Sequence, residues 1–204
     1  MRKLGAWLAA LVLLAGLGAT PARAASADPA AAQIDAFDGA LLDVMKSAKS
    51  LGLQGRYRRL EPAVARAYDI ATMIRFAVGP GWTAIAPAQQ QALTQAFERL
   101  TVASYAHNFD GWSGERFETD PNVLTRGPDK VVTTHLIPPS GAPVSIAYRM
   151  RQAPGGTWKI IDVFYNGSIS QLTTRRADFA AALAQGGAPA LLGHLNSLAD
   201  NQLK

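Results

Sequence analysis

Apolar positions along the chain change their spacing twice, and this divides the chain into a helical part, a strand part and a second helical part. From Gln33 they recur at steps of three and four residues, the spacing of one helix face. From Gly114 they recur at every second residue, as in strands with one buried face. From Leu172 the helical spacing returns, with a break at Gly186-Gly187 and a new start near Pro189. Helices, then a sheet, then helices is an α+β arrangement.

The helices before the sheet are placed by their caps and breaks. Residues 25–33 are rich in alanine and are expected to be loose, and the first helix is expected to end at Gly52 and Gly55. Asp69 can cap a short helix after that break. The most regular helical pattern begins at Pro87 and runs to about residue 109, so this segment is predicted to be a long amphipathic helix.

Five strand-like segments follow, at residues 114–119, 123–126, 130–137, 144–151 and 158–165. The turns between the last three contain proline and glycine and are short, so neighbouring strands are expected to pair antiparallel. A twisted sheet with helices laid across one face can leave a gap between the two layers. We expect an apolar cavity there, between the alternating apolar positions of segment 144–151 and the apolar side of the helix that begins at Pro87.

The last strand segment, Trp158 to Tyr165, is apolar on both faces and must therefore be covered on both. Strict alternation places Asp162 on the same face as Trp158 and Ile160. The strand ends at Asn166-Gly167, after which Ser168 or Ser170 can cap a helix.

Composition adds information about the compartment. Residues 1–24 combine Arg2 and Lys3 with an apolar run and an A-R-A site, which predicts a secretory signal peptide followed by one domain at residues 25–204. A retained membrane anchor is the alternative, although the run is short for a bilayer span. The chain has no cysteine, so its core must hold it together without disulfides. Without the three basic residues of the signal peptide the net charge of +5 falls to +2, which is not the balance of a nucleic-acid-binding protein.

Candidate chemistry is sparse. The three histidines, His107, His135 and His194, show no metal-ligand spacing, and neither a phosphate-binding loop nor a dinucleotide fingerprint is present. We therefore predict no metal and no cofactor. Asp162 could act as a general base if it faced an apolar cavity. The alternative is that it pairs with an arginine or accepts backbone N–H bonds.

Arg175-Arg176 also allows two interpretations. A guanidinium group suits the phosphate of a phospholipid. The two arginines can instead pair with Asp178 or contact a partner protein, and we favour this structural or partner role.

Two stretches carry a family resemblance. The run from Trp158 to Phe179, W-K-I-I-D-V-x-x-x-G-S-I-S-x-L-x-x-R-R-x-D-F, resembles the signature of the MlaC/Ttg2D family of periplasmic lipid carriers. The run from Ala103 to Phe117, ASYAHNFDGWSGERF, is similar to the hopanoid-associated, HpnM-type branch of that family. The resemblance implies a curved-sheet, NTF2-like fold with lipid tails in its cavity, and transient transport-protein partners in the inner and outer membranes.

The leading hypothesis is therefore a periplasmic shuttle that carries hopanoid or phospholipid between the two membranes. An enzyme that uses Asp162 as base and an envelope scaffold with a fully packed core are the alternatives. Residues expected to contact lipid are apolar or aromatic side chains of the predicted helices and strands, for which a plain core role stays open. They are Phe37, Leu41, Met45, Ile74, Trp82, Leu93, Phe97, Leu100, Tyr105, Val132, Leu136, Ile146, Tyr148, Met150, Ile161 and Val163.

Overall fold

Helices precede and follow one antiparallel sheet in the computed structural model, which describes residues 28–166 and 169–204. The predicted signal peptide and Ser168 lie outside the described residues. Helices α1 (Pro29–Lys46), α2 (Ala48–Ala67) and α3 (Ile70–Val78), a 3₁₀ helix (Gly79–Ala84) and α4 (Pro87–Asn108) come first. Strands β1 (Arg116–Thr119), β2 (Leu124–Arg126), β3 (Asp129–Ile137), β4 (Val144–Gln152), β5 (Trp158–Tyr165) and β6 (Ile169–Ser170) then lead into α5 (Gln171–Gln202). The α+β prediction is confirmed.

Helix α1 begins earlier than its sequence pattern indicates. The Asp28 carboxylate accepts a hydrogen bond of 2.9 Å from the Ala30 N–H, and Pro29 occupies the first helical turn. Ala30 is fully buried, so this part of the alanine-rich segment packs into the core instead of being loose. The helix ends at Lys46, before Gly52, which instead bends α2 with a φ of 59°.

Three other helix predictions are confirmed. The Asp69 carboxylate caps α3 through a hydrogen bond of 2.9 Å from the Thr72 N–H. Ser170 caps α5 by accepting a hydrogen bond of 3.0 Å from the Thr173 N–H, and Gly186 and Gly187 depart from helical geometry inside α5. No helix within the described ranges combines the length and the apolar character needed to cross a membrane.

Strand order in the sheet is β1-β3-β4-β5-β6, with β2 also paired to β3, and all of these pairings are antiparallel. The hairpin from β5 to the two-residue β6 was not predicted. It turns at Asn166, which adopts a left-handed φ of 48° that asparagine tolerates better than most residues.

A β-bulge in β5 changes which side chains share a face. Arg149 lies opposite Asp162, but the next residue of β4, Met150, lies opposite Ile160. Ile161 is therefore the extra residue, and the alternation shifts by one position across it. Ile160 shares a face with Met150, whereas Asp162 shares the opposite face with Arg149. The predicted placement of Asp162 beside Ile160 is wrong for this reason.

The main core lies between one face of the sheet and the helices. Tyr148 of β4 contributes to this core, and Phe37 of α1 packs edge-to-face against Tyr68, Tyr105 and Tyr148 at 5.2 to 6.4 Å between ring centroids. Such contacts add to the free energy gained by burying the rings. The core thereby fixes α1, α2 and α4 on the sheet.

Candidate functional site

A cavity of about 520 Å³ lies between α4, the sheet and the start of α5. Helix α4 contributes Phe97, Thr101, Ser104, Tyr105 and Asn108. These positions follow the three- and four-residue steps of one helix face, so a single stripe of α4 lines the cavity.

Strands β4 and β5 form the opposite wall. Ile146 and Tyr165 face each other across the strand pair, as do Tyr148 and Val163. Val144, Ile146, Val163 and Tyr165 all line the cavity. Its position between the apolar face of β4 and α4 is the one predicted from sequence.

Residues at the cavity mouth are identified by their exposure. Val144 is 39% exposed and Tyr165 37%, large values for apolar side chains, and Asn108 at the end of α4 is exposed too. Ile169 of β6, 59% exposed, lies opposite Tyr165 in the sheet. Apolar side chains therefore continue from the cavity wall onto the surface beside the mouth.

The floor of the cavity carries hydroxyl groups without charge. Tyr68 and Tyr105 line the cavity and their hydroxyl groups form a hydrogen bond with each other. Burial raises the pKa of Tyr68, Tyr105 and Tyr148 well above the ordinary tyrosine value, so all three stay protonated. The floor is consequently neutral at every physiological pH.

Five of the sixteen predicted lipid contacts line this cavity, namely Phe97, Tyr105, Leu136, Ile146 and Val163. Ten others are buried outside its lining: Phe37, Leu41, Met45, Ile74, Leu93, Leu100, Val132, Tyr148, Met150 and Ile161. Trp82 is half-buried on the 3₁₀ helix, beside α3 and α4 in a separate shallow depression. A role in lipid contact stays a prediction for all sixteen.

The lining also contains polar residues that the sequence reasoning missed. Thr101, Ser104 and Asn108 continue the stripe of Phe97 along α4, and helical spacing alone could have found them. Gln171 and Gln202 come from the two ends of α5, and no local signal joins positions so far apart in sequence.

Asp162 does not face the cavity. Its carboxylate accepts hydrogen bonds from the N–H groups of Val163 at 2.8 Å and Leu172 at 3.3 Å, and from the Ser170 hydroxyl at 2.6 Å. These bonds tie the bulged strand to the first turn of α5, as the structural interpretation of Asp162 expected. The cavity therefore contains no carboxylate from this residue that could act as a base.

Within the described ranges, no group of three or more histidine, aspartate and glutamate side chains is placed to hold a metal ion. The cavity offers an apolar wall on β4 and β5, a neutral floor, and polar side chains from α4 and α5. This arrangement is suited to binding an amphiphile.

Comparisons with known proteins agree with this geometry. A family model described as MlaC protein matches residues 36–197. A search of curated proteins finds no match. Among solved structures, the chain is similar to a phospholipid-binding protein from Ralstonia solanacearum in complex with a phospholipid, with a TM-score of 0.74 and 23% identity over 86% of this chain and 99% of that chain. At this identity the likeness shows the fold alone, and the family is shown by the model match over most of the sequence: the chain belongs to the MlaC family.

Proposed function

We propose that the protein is a periplasmic carrier that binds one lipid, a phospholipid or a hopanoid, and shuttles it between the inner and outer membranes. The observation that carries this proposal is the cavity of about 520 Å³ between α4, the sheet and α5. Family membership and the phospholipid named for the Ralstonia solanacearum protein support a lipid as its ligand.

The apolar wall can supply the binding energy. Burial of one CH₂ group is worth about 0.8 kcal/mol, so about ten methylenes in contact with Phe97, Ile146 and Val163 would contribute about 8 kcal/mol. Part of this gain offsets the ordering of the chain and of the lining side chains.

Neither alternative fits the geometry as well. An enzyme with Asp162 as base would need that carboxylate in the cavity, but it is buried on the other face of the sheet and hydrogen-bonded to α5. A scaffold with a fully packed core would not leave a gap between α4 and β4. A non-enzymatic carrier is therefore the function that we propose.

A cavity-filling substitution tests the binding site. Ser104 lines the cavity and is half-buried, so Ser104→Trp should fill the space without displacing the core side chains of α4. We expect this variant to lose most of the lipid that co-purifies with the wild type, measured by native mass spectrometry. Gln95→Trp is the matched control, because Gln95 is exposed and lies on the same helix but outside the lining.

Melting temperature is measured for both variants to separate binding from stability. A wild-type protein that carries no lipid, or equal lipid retention in the two tryptophan variants, would contradict the proposal. Location is tested separately by N-terminal sequencing of the exported protein, which should begin at Ala25. A retained N-terminus in the membrane fraction would overturn the proposed location and leave the binding site untouched.

A further inference from the structure

Arg175 is the one charged side chain among the described residues that line the cavity. It lies in the second turn of α5 and is half-buried. Within the described part of the chain, its guanidinium forms no salt bridge and no hydrogen bond. A charge in this setting requires a physical explanation, because removal from water costs free energy that a partner normally returns.

Comparison with the other half-buried arginines shows how unusual this is. Five arginines of the described residues fall in this class, and the other four each donate a hydrogen bond to a carbonyl or carboxylate oxygen. Arg56 binds the Ala106 carbonyl at 2.7 Å, and Arg99 binds Asp200 at 2.6 Å. The fold thus provides an acceptor for each of the others, and the free space beside Arg175 is the ligand cavity itself.

The electrostatic surroundings keep Arg175 available for an external anion. Burial lowers the pKa of the Arg175 guanidinium, and the charge of Asp178 offsets this only in part. Asp178 is exposed and not within salt-bridge distance. An arginine stays charged despite a pKa decrease of this kind, so the guanidinium remains a cation that can bind an anion.

Neutral polar groups share the cavity lining with this cation. Gln171 and Gln202 contribute amide groups, and the Gln202 side-chain oxygen is buried without a hydrogen-bond partner in the described residues. Gln171 precedes Arg175 by one turn of α5, so these two side chains form a polar section, whereas Val144, Ile146 and Val163 make the strand wall of the cavity apolar. An amphiphile with a hydrocarbon body and one anionic group complements both sections.

We propose that Arg175 is a specificity-determining residue that contacts the phosphate of the bound lipid. The inference rests on the proposed lipid-binding function and adds to it the residue that recognises the phosphate group of the lipid. Phosphate accepts two parallel hydrogen bonds from one guanidinium, which gives both energy and orientation. A neutral hopanoid offers no such acceptor and would leave the guanidinium unpaired.

Two lipids that have the same acyl chains but differ in the anionic phosphate group separate the contribution of the phosphate to binding from that of the hydrocarbon. The protein is incubated with vesicles of dioleoyl phosphatidylglycerol that contain a minor fraction of dioleoylglycerol. Protein is then reisolated, and the ratio of the two lipids it retains is divided by their ratio in the vesicles. Relative to the vesicles, the wild type should retain an excess of phosphatidylglycerol over dioleoylglycerol. Arg175→Gln should lower this normalised ratio about tenfold, which corresponds to the loss of one charge-assisted hydrogen bond.

Arg176→Gln is the matched control. It removes the same charge from the neighbouring position, where Arg176 is exposed and donates to the Phe76 carbonyl at 2.8 Å. Arg175→Lys keeps the charge but not the two-pronged geometry and should retain part of the selectivity. Circular dichroism of each variant checks that it is folded.

The outcomes distinguish this inference from the function on which it rests. A wild type that retains neither lipid contradicts the proposed function. A wild type that retains both lipids with a ratio unchanged in Arg175→Gln, or changed equally in Arg176→Gln, overturns the role of Arg175 and leaves the carrier function intact. Inorganic phosphate in excess should not displace phosphatidylglycerol, and displacement that depends on Arg175 would show a free-phosphate site instead.

Discussion

Replacement of Asp38 by asparagine should stabilise the protein at neutral and alkaline pH. Asp38 lies on α1 in the core, 3% exposed, and its Oδ2 accepts a hydrogen bond of 2.8 Å from the Thr134 hydroxyl. Its other oxygen is buried without a hydrogen-bond partner in the described residues. Burial raises the pKa of Asp38 from its ordinary 3.8 to about 7, although the Thr134 bond lowers it. Asparagine removes the charge and keeps the shape.

The sign of the pH dependence follows from this difference in pKa. The folded state holds the Asp38 proton more tightly than the unfolded chain, so the associated stability is complete below pH 3.8 and is lost as the pH rises towards about 7. At about 1.36 kcal/mol for each pH unit, the loss is about 4 kcal/mol. This is an upper bound, because water that reaches the carboxylate would reduce it. An asparagine at this position cannot ionise and shows no such loss.

The assay is urea denaturation of wild type and Asp38→Asn at a series of pH values from about 4 to about 9. We expect the two free energies of unfolding to be similar at the acidic end and to diverge in favour of the variant by about 2 to 4 kcal/mol at the alkaline end. Asp43→Asn is the control, because Asp43 is exposed on the same helix. A difference between Asp38→Asn and wild type that does not change with pH, or that favours the wild type more as pH rises, would refute the reasoning.

Two further substitutions test polar contacts on the opposite face of the sheet. Asp162→Asn should lower the free energy of unfolding by about 1 to 3 kcal/mol, because the N–H groups of Val163 and Leu172 lose a carboxylate acceptor. Lipid retention should be unchanged. A turnover that is present in the wild type and lost in this variant would contradict the carrier proposal. Burial acts to raise the pKa of Asp129, but hydrogen bonds from Arg151 and Arg149 outweigh it and hold the pKa below the ordinary value. Asp129→Asn should therefore lower the free energy of unfolding by about 2 kcal/mol above pH 4, and this difference should shrink as the pH falls further. A difference that stays the same when urea denaturation is repeated at acidic pH would argue against this assignment.

Elements whose signal is local were predictable from the sequence. The pattern of β4 alternates in the structure as in the sequence, with Ile146, Tyr148 and Met150 buried on one face. Helix α4 begins at Pro87 as predicted, and the caps Asp69 and Ser170 act at the expected positions. Each of these features depends on residues within a few positions of one another.

The bulge at Ile161 shows where a prediction from neighbouring residues in the sequence fails. The sequence from Trp158 to Tyr165 is apolar on both faces and marks no extra residue, so only the pairing with β4 reveals it. One inserted residue moves Asp162 to the other face, where it meets the first turn of α5 instead of the cavity. The enzyme hypothesis depended on Asp162 facing the cavity, and the register places this carboxylate on the other face of the sheet.

The cavity lining was only partly predictable because core and lining use the same residue types. Leu93 and Leu100 are buried beside Phe97 on α4, yet Phe97 lines the cavity and the leucines do not. Whether an apolar residue meets a neighbour or a gap depends on how the layers are spaced, and this spacing is a property of the whole fold.

The two consecutive arginines of α5 illustrate the same limit for charged residues. Neighbouring positions on a helix point about 100° apart. Arg176 consequently reaches the Phe76 carbonyl of α3, whereas Arg175 turns into the cavity and finds no acceptor in the described part of the chain. From the sequence, both a phosphate contact and a structural role were open for the two arginines, and the structural role was favoured. Among the described residues, Arg176 has an intramolecular hydrogen bond and Arg175 has none, so a single change at each position can test the two interpretations independently.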